Sequence, residues 1–296
     1  MISPIMLNRI GYPCVSRLLN RSTNHTCRLN SAAPERLRAL IEQNLADLEA
    51  ILAHNLAHGW RLFRIGSSVI PFGSHPVNQL AWWEEHSETL SRIGEYTRQH
   101  DIRLSFHPGQ FTVLNSPDSD VVSRAVDELI YSTHFLDTMG IDSSHKIVIH
   151  LGGVYGDKDA AMARSIKAIN RLDPKVRARL VIENDERNYA PSEAIRVSNQ
   201  TGVPVVFDNL HYRALPGEGK LEEILAVVFS TWGPEDGIPK VHFSSQAKNG
   251  RKGNHAEFAD PTEYQEWISH WSIFGEFDLM LEAKAKDEAL VALKLD

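Results

Sequence analysis

Short runs rich in Val, Ile, Leu and Phe punctuate the chain, and each is followed by a longer stretch whose apolar residues recur at helical spacing. Eight such runs stand out, over residues 8–12, 61–65, 102–106, 146–150, 180–183, 203–208, 240–244 and 277–282. Their starts lie about 40 residues apart, close to the length of one βα unit in an eightfold barrel. The intervening helices carry their own signals. Ser31-Ala-Ala-Pro34-Glu35 opens a helix through Leu37, Leu40, Ile41, Leu45, Leu48, Ile51 and Leu52 that Gly59 stops. Pro117-Asp118 opens another through Val122, Ala125, Leu129 and Phe135, ending at Gly140. Strands alternating with helices predict a parallel sheet covered on both faces, and eight repeats favour a closed (β/α)8 TIM barrel over an open sheet. No linker, low-complexity tract or close repeat divides the chain, so a single domain over residues 1–296 is expected.

Active sites of such barrels lie at the C-terminal ends of the strands, and reactive side chains concentrate there. His107 directly follows the third run, the fourth ends at His150, the fifth at Glu183 and the sixth at Asp208, with His211 just beyond. The seventh carries Lys240 and His242, two residues apart and so on one face, and the eighth ends at Glu282. His75 and His255 lie in the loops after the second and seventh runs. Taken singly, each histidine reads as a hydrogen-bonded structural residue and each acid as the partner of an arginine. Taken together, six consecutive apolar strands ending in charge require a cation, and mixed His, Asp and Glu ligation suits Zn, Mn or Fe. One ion with an open position uses three or four protein ligands. His107, His150, Glu183, Asp208, His211, His242, His255 and Glu282 exceed that number. Bridging by the three carboxylates makes a cluster of two or three divalent ions the economical expectation, a kind of site that serves phosphoryl hydrolysis. The remaining histidines, His25, His54, His58, His86, His100, His134, His145 and His270, fall mostly on helices or their ends, where surface positions are expected.

Composition narrows the picture. A chain of 296 residues, 42% hydrophobic and 23% charged, can bury a large core. No segment approaches the roughly 20 apolar residues of a membrane span, and the N-terminal stretch lacks the pattern of a secretory signal, so a cytoplasmic protein without membrane contact is expected. Cys14 and Cys27 are too few for a disulfide framework and are expected as reduced thiols. The formal charge of −7 speaks against holding nucleic acid by bulk positive charge. Charge is local, however: Arg21, Arg28, Lys248, Arg251 and Lys252 lie in loops on the site face, and divalent ions among the three acids would offset much of the negative sum.

Nine motifs then occur in order: GYPC at 11–14, STNHT at 22–26, FRIGSSVIPFGSHP at 63–76, SFHPGQF at 105–111, HLGGVYGDK at 150–158, IENDER at 182–187, VVFDNLHY at 205–212, PKVHFSSQ at 239–246 and LEAK at 281–284. Together they resemble the UV damage endonuclease family, related to endonuclease IV, over nearly the whole chain. The resemblance implies a cluster of up to three ions, Mn foremost with Zn or Mg as options. The implied reaction nicks double-stranded DNA immediately 5′ of cyclobutane pyrimidine dimers and 6-4 photoproducts, leaving a 3′ hydroxyl. It assigns Glu183, Asp208, Glu282, His107, His150, His211, His242 and His255 as ligands, and places His75 beside the cluster. Glu183, Lys240 and His75 become the expected catalytic set, Lys240 matching a lysine that can be carboxylated. Gln110 and Phe111 become the pair that enters the gap left by an extruded lesion, with Phe111 standing where the family commonly has Tyr. Tyr12 is implied to line the pocket for that lesion. A monomer with no obligate protein partner is expected. Two other readings are a sugar isomerase or epimerase on the same barrel, and a damage-binding protein that has lost cleavage.

Overall fold

The computed structural model describes residues 6–294. The eight apolar runs become the eight strands of a closed parallel barrel: β1 Leu7–Pro13, β2 Leu62–Ile65, β3 Arg103–Phe106, β4 Ile147–His150, β5 Leu180–Glu183, β6 Val205–Asp208, β7 Lys240–Phe243 and β8 Phe277–Leu281. Closure is made by β1, which pairs with β2 through Gly11 and Leu62 and with β8 through Ile10 and Leu279. Gly11 is required there, because a Cβ would come within 1.6 Å of the Leu62 carbonyl oxygen. Both faces of the strands are covered, which is why they read as continuous apolar runs rather than as alternating ones.

Helices wrap the outside where the spacing predicts them. Pro34–Ala57 starts on a proline at its first turn and buries Leu37, Ile41, Leu45, Leu48 and Leu52 against the barrel. Ser119–Thr138 is capped by Asp118, whose carboxylate accepts from Asp120 N at 2.8 Å. Asp157 and Asp260 cap Lys158–Ile169 and Pro261–Ser272 in the same way. Among the described residues, no helix is long and apolar enough to cross a membrane.

Inside the barrel the side chains form tiers. The tier near the N-terminal ends is charged: Asp278, fully buried, accepts from Arg103 at 2.8 Å and from Arg9 at 3.2 Å. Above it Val148, Val181 and Val206 form a small cluster separate from the outer core. Two residues further along the same strands, on the same face, stand His150, Glu183 and Asp208. The valine tier, at whose level Lys240 also lies, is directly beneath this reactive one.

One expectation about the histidines is corrected. His145 is not a surface residue: it is buried beneath the barrel, where its Nδ1 accepts from Leu104 N at 2.9 Å. Burial pushes its pKa down to about 3, so it is a neutral structural acceptor.

Candidate metal centre

Glu183 stands at the middle of the reactive tier. It is 1% exposed, at the last position of β5, and among the described residues it belongs to all three groups of side chains whose ligating atoms lie close enough to share an ion. The groups are His107 with His150, Asp208 with His211, and His242 with Glu282, each completed by Glu183. Its Oε2 is 3.0 Å from His107 Nε2 and 3.6 Å from His150 Nε2, and its Oε1 is 2.8 Å from His242 Nδ1 and 3.5 Å from His211 Nδ1.

The ends of β5, β6 and β7 are held in place by asparagines beyond the last backbone pairs. Asn184 exchanges two hydrogen bonds with the Asp208 backbone, accepting at 2.9 Å and donating at 3.2 Å. Asn209 does the same with Ser244 at 2.9 and 3.1 Å. Backbone carbonyls also orient the imidazoles. His107 Nδ1 faces the Pro108 carbonyl at 3.2 Å, His211 Nδ1 the Asn184 carbonyl at 2.9 Å, and His255 Nδ1 the Glu282 carbonyl at 2.5 Å. Donation from Nδ1–H leaves Nε2 as the nitrogen that would ligate a metal, with its lone pair free once any proton on it has been displaced.

Electrostatics distinguish the groups. Burial opposes the Glu183 carboxylate, yet the imidazoles of His242 and His150 outweigh it and hold its pKa well below the ordinary range. Glu282 is likewise opposed by burial but held low by Arg64 and His242. Asp208 is pushed up to about 6, chiefly by burial, and burial also lowers His150 and His242 to about 4. At His211 the neighbouring Asp208 and Glu183 overcome burial and raise its pKa to about 11. Among the buried polar atoms without a partner in the described residues are Asp208 Oδ2, His150 Nδ1 and Arg64 Nε, all in this site. A buried carboxylate oxygen without a donor is costly, and a divalent cation among these His, Asp and Glu groups would relieve it. The donor set therefore fits a metal cluster.

Arg64 is a site residue that the sequence pattern did not single out. Nearly fully buried at the third position of β2, it donates to Glu282 Oε1 at 2.5 Å and to His242 Nε2 at 3.0 Å. That second bond places the His242 proton on Nδ1, facing Glu183. Ligation by His242 Nδ1 would leave the ring proton on Nε2 and so requires the bond from Arg64 to break. An arginine inside an apolar strand, in FRIG, was the available signal.

A cavity of about 460 Å³ opens above the cluster, lined among others by Gln110, His150, His211, His255, Glu282 and Lys286. A second, of about 330 Å³, adjoins it through Gln110, His150 and Arg187 and reaches Val113 and Tyr155.

The sequence as a whole is similar to a family of known activity. The model of the family described as UV-endonuclease UvdE matches residues 8–296. The chain belongs to the UV-endonuclease UvdE family. It is therefore an enzyme of the endonuclease class. A UV DNA damage endonuclease of Clostridium perfringens (strain 13 / Type A) is 38% identical over 281 residues, covering 94% of this chain and 68% of that one. One of Bacillus cereus (strain G9842) is 34% identical over 261 residues, covering 88% and 82%. The crystal structure of SacUVDE, 34% identical, superposes with a TM-score of 0.91 over 96% of both chains. Endonuclease IV from Thermus thermophilus and a D-psicose 3-epimerase from Clostridium cellulolyticum share the fold alone, at 13% and 16% identity with TM-scores of 0.58 and 0.52.

Some residues of this UvdE-family chain stand elsewhere than expected. Tyr12 does not line either cavity: it is fully buried on the outer side of β1, its hydroxyl donating to Asn55 Oδ1 at 2.7 Å, its ring edge-on to Phe63 and Trp60. His75 is exposed, belongs to none of the three ligand groups, and accepts from Val77 N at 3.1 Å. Lys240 lies one tier below the cluster, 1% exposed, and burial with Arg103 and Arg64 nearby pushes its pKa well below the usual lysine range. Gln110 and Phe111 are on the site face, with Phe111 75% exposed. The Phe111 ring folds back over Gly109, where a Cβ would come within 2.3 Å of it. Of the basic loop residues, Arg21 is tied to Asp47 at 2.8 Å, while Lys248, Arg251 and Lys252 are exposed.

Proposed function

We propose that the enzyme cuts one phosphodiester of double-stranded DNA immediately 5′ of a UV photoproduct, leaving a 3′ hydroxyl and a 5′ phosphate. The observation that carries this reading is the buried cluster centred on Glu183, beneath a cavity lined by Gln110, whose neighbour Phe111 stands exposed. Two or three ions, with Mn foremost, would polarise the scissile phosphate and lower the pKa of the attacking water. Glu183, Asp208 and Glu282, with His107, His150, His211, His242 and His255, would hold them. The water oxygen bonds to phosphorus, the P–O3′ bond breaks, and a proton passes to the 3′ oxygen. Lys240, a tier below, would support the ligands from beneath rather than meet the substrate. His75, on its exposed loop, is assigned to the rim.

Gln110 and Phe111 would enter the stack where the lesion leaves it. A damaged dinucleotide cannot reach a pit of buried ligands while paired, and a wedge at the mouth fills the gap. Lys248, Arg251 and Lys252 would meet the DNA backbone, so binding is expected to weaken with salt. The epimerase reading rests only on fold likeness, and it leaves Phe111 without a role.

The test is nicking of UV-irradiated plasmid beside an unirradiated control. Wild-type protein is expected to cut only the irradiated one. Base–aromatic stacking is worth about 1–3 kcal/mol per base, so Phe111→Ala is expected to lose about tenfold to a hundredfold in rate. Wild-type nicking of both plasmids at equal rates would exclude lesion recognition, and an unimpaired Phe111→Ala would exclude the wedge.

A further inference from the structure

Lys286 holds a backbone conformation that a lysine ordinarily avoids. Its φ of 58° and ψ of −124° fall in the region that glycine takes in turns. Pinned residues on both sides impose it. Before it, Lys284 N and Ala285 N donate to the Ala256 and Glu257 carbonyls at 3.1 and 2.9 Å. After it, Asp287 is fully buried and accepts from Ser16 Oγ at 2.5 Å and Arg17 N at 2.8 Å. A position so fixed favours glycine, yet lysine stands there. Strain of this kind gathers at functional sites.

The side chain lines the cavity above the cluster, near Glu282, Arg64 and Cys14. Among the described residues its ammonium makes no hydrogen bond or ion pair. The carboxylate nearest in charge, Glu282, is already bound by Arg64 at 2.5 Å. An ammonium aimed into the cleft beside a guanidinium, with no acid of its own, is suited to an anion that arrives from outside.

We propose that Lys286 binds a non-bridging oxygen of the phosphodiester to be cut, which rests on the endonuclease reading above and extends it to a catalytic residue. Lysine grips phosphate as a point charge. From this position it anchors the scissile group over the ligand tier and offsets charge that grows on its oxygens as the water attacks.

The experiment compares wild type with Lys286→Ala, Lys286→Gly and Lys286→Arg, each loaded with Mn. It reads four quantities: kcat/KM on a duplex carrying one cyclobutane dimer, duplex affinity against salt, metal content and Tm. Lys286→Ala is expected to lose about a hundredfold in kcat/KM with unchanged metal content. The slope of log affinity against log salt should fall by about 0.9, the signature of one lost phosphate contact. Lys286→Gly should lose as much activity yet melt above Lys286→Ala, because glycine adopts that conformation freely, and Lys286→Arg should keep part of the activity. An unchanged kcat/KM and salt slope in Lys286→Ala would overturn the proposal, as would a loss of metal in step with activity. Should wild type bind the duplex without cutting it, the endonuclease reading falls, while the salt slope still decides whether Lys286 meets a phosphate.

Discussion

Glu183→Ala is expected to lower nicking of UV-irradiated DNA by at least about 10³-fold, the scale on which removing a central electrostatic group acts. Glu183 is the one residue common to all three ligand groups, so its loss breaks each of them at once. Fully buried, it also faces the imidazoles around it: His107 at 3.0 Å and His242 at 2.8 Å would lose their carboxylate partner. Metal content, measured by mass spectrometry of the purified protein, is expected to fall together with activity. Far-ultraviolet circular dichroism should stay that of wild type, because the barrel core is separate from the site. A Glu183→Ala protein that retains both metal and nicking would show that the cluster is organised around another residue.

Chelation should have the second large effect. With the ions removed, nicking is expected to stop and to return on addition of Mn. The protein should remain folded, because the carboxylates then pair with the imidazoles and with Arg64, as at Glu282 and Arg64. Stability should nevertheless fall, since a ligand bound only by the folded state contributes about 4 kcal/mol at a thousandfold excess over its Kd. Tm measured with and without EDTA, followed by titration with Mn, Mg and Zn, checks both statements. Full activity in EDTA, in protein shown to contain no metal, would contradict the account.

The barrel was legible because a parallel sheet covered on both faces must be built from short apolar runs, and all eight were visible in the chain. Their ends were legible for the same reason: His150, Glu183 and Asp208 interrupt apolar runs where a charge is costly. Which way a side chain faces was not legible from such runs. Both faces are apolar, so nothing in the pattern around Tyr12 distinguished the outer core from the cavity, and the structure sets it against Asn55 outside the barrel. Arg64 was hidden by the same uniformity. Its partners, Glu282 and His242, lie far along the chain, and only closure of the barrel brings them together. His145 was missed because a histidine at the start of a strand reads as exposed until the loops beneath the barrel are seen to cover it. Asn184 and Asn209 carry no metal-ligand signal, yet they fasten the strand ends that present Glu183 and Asp208. The strain at Lys286 is a property of backbone angles and has no sequence signature beyond a lysine where a turn would favour glycine.

The central claim is lesion-directed cutting by a metal cluster held on Glu183. It is tested most directly by incision of defined duplexes carrying a cyclobutane dimer, a 6-4 photoproduct, an abasic site or no lesion, with Mn, Mg and Zn compared. The account predicts a single nick immediately 5′ of each photoproduct, a 3′ hydroxyl that a polymerase extends, no cut in the undamaged duplex, and no cut without metal. Absence of incision on every duplex with every metal, or cutting that ignores the lesion, would contradict it.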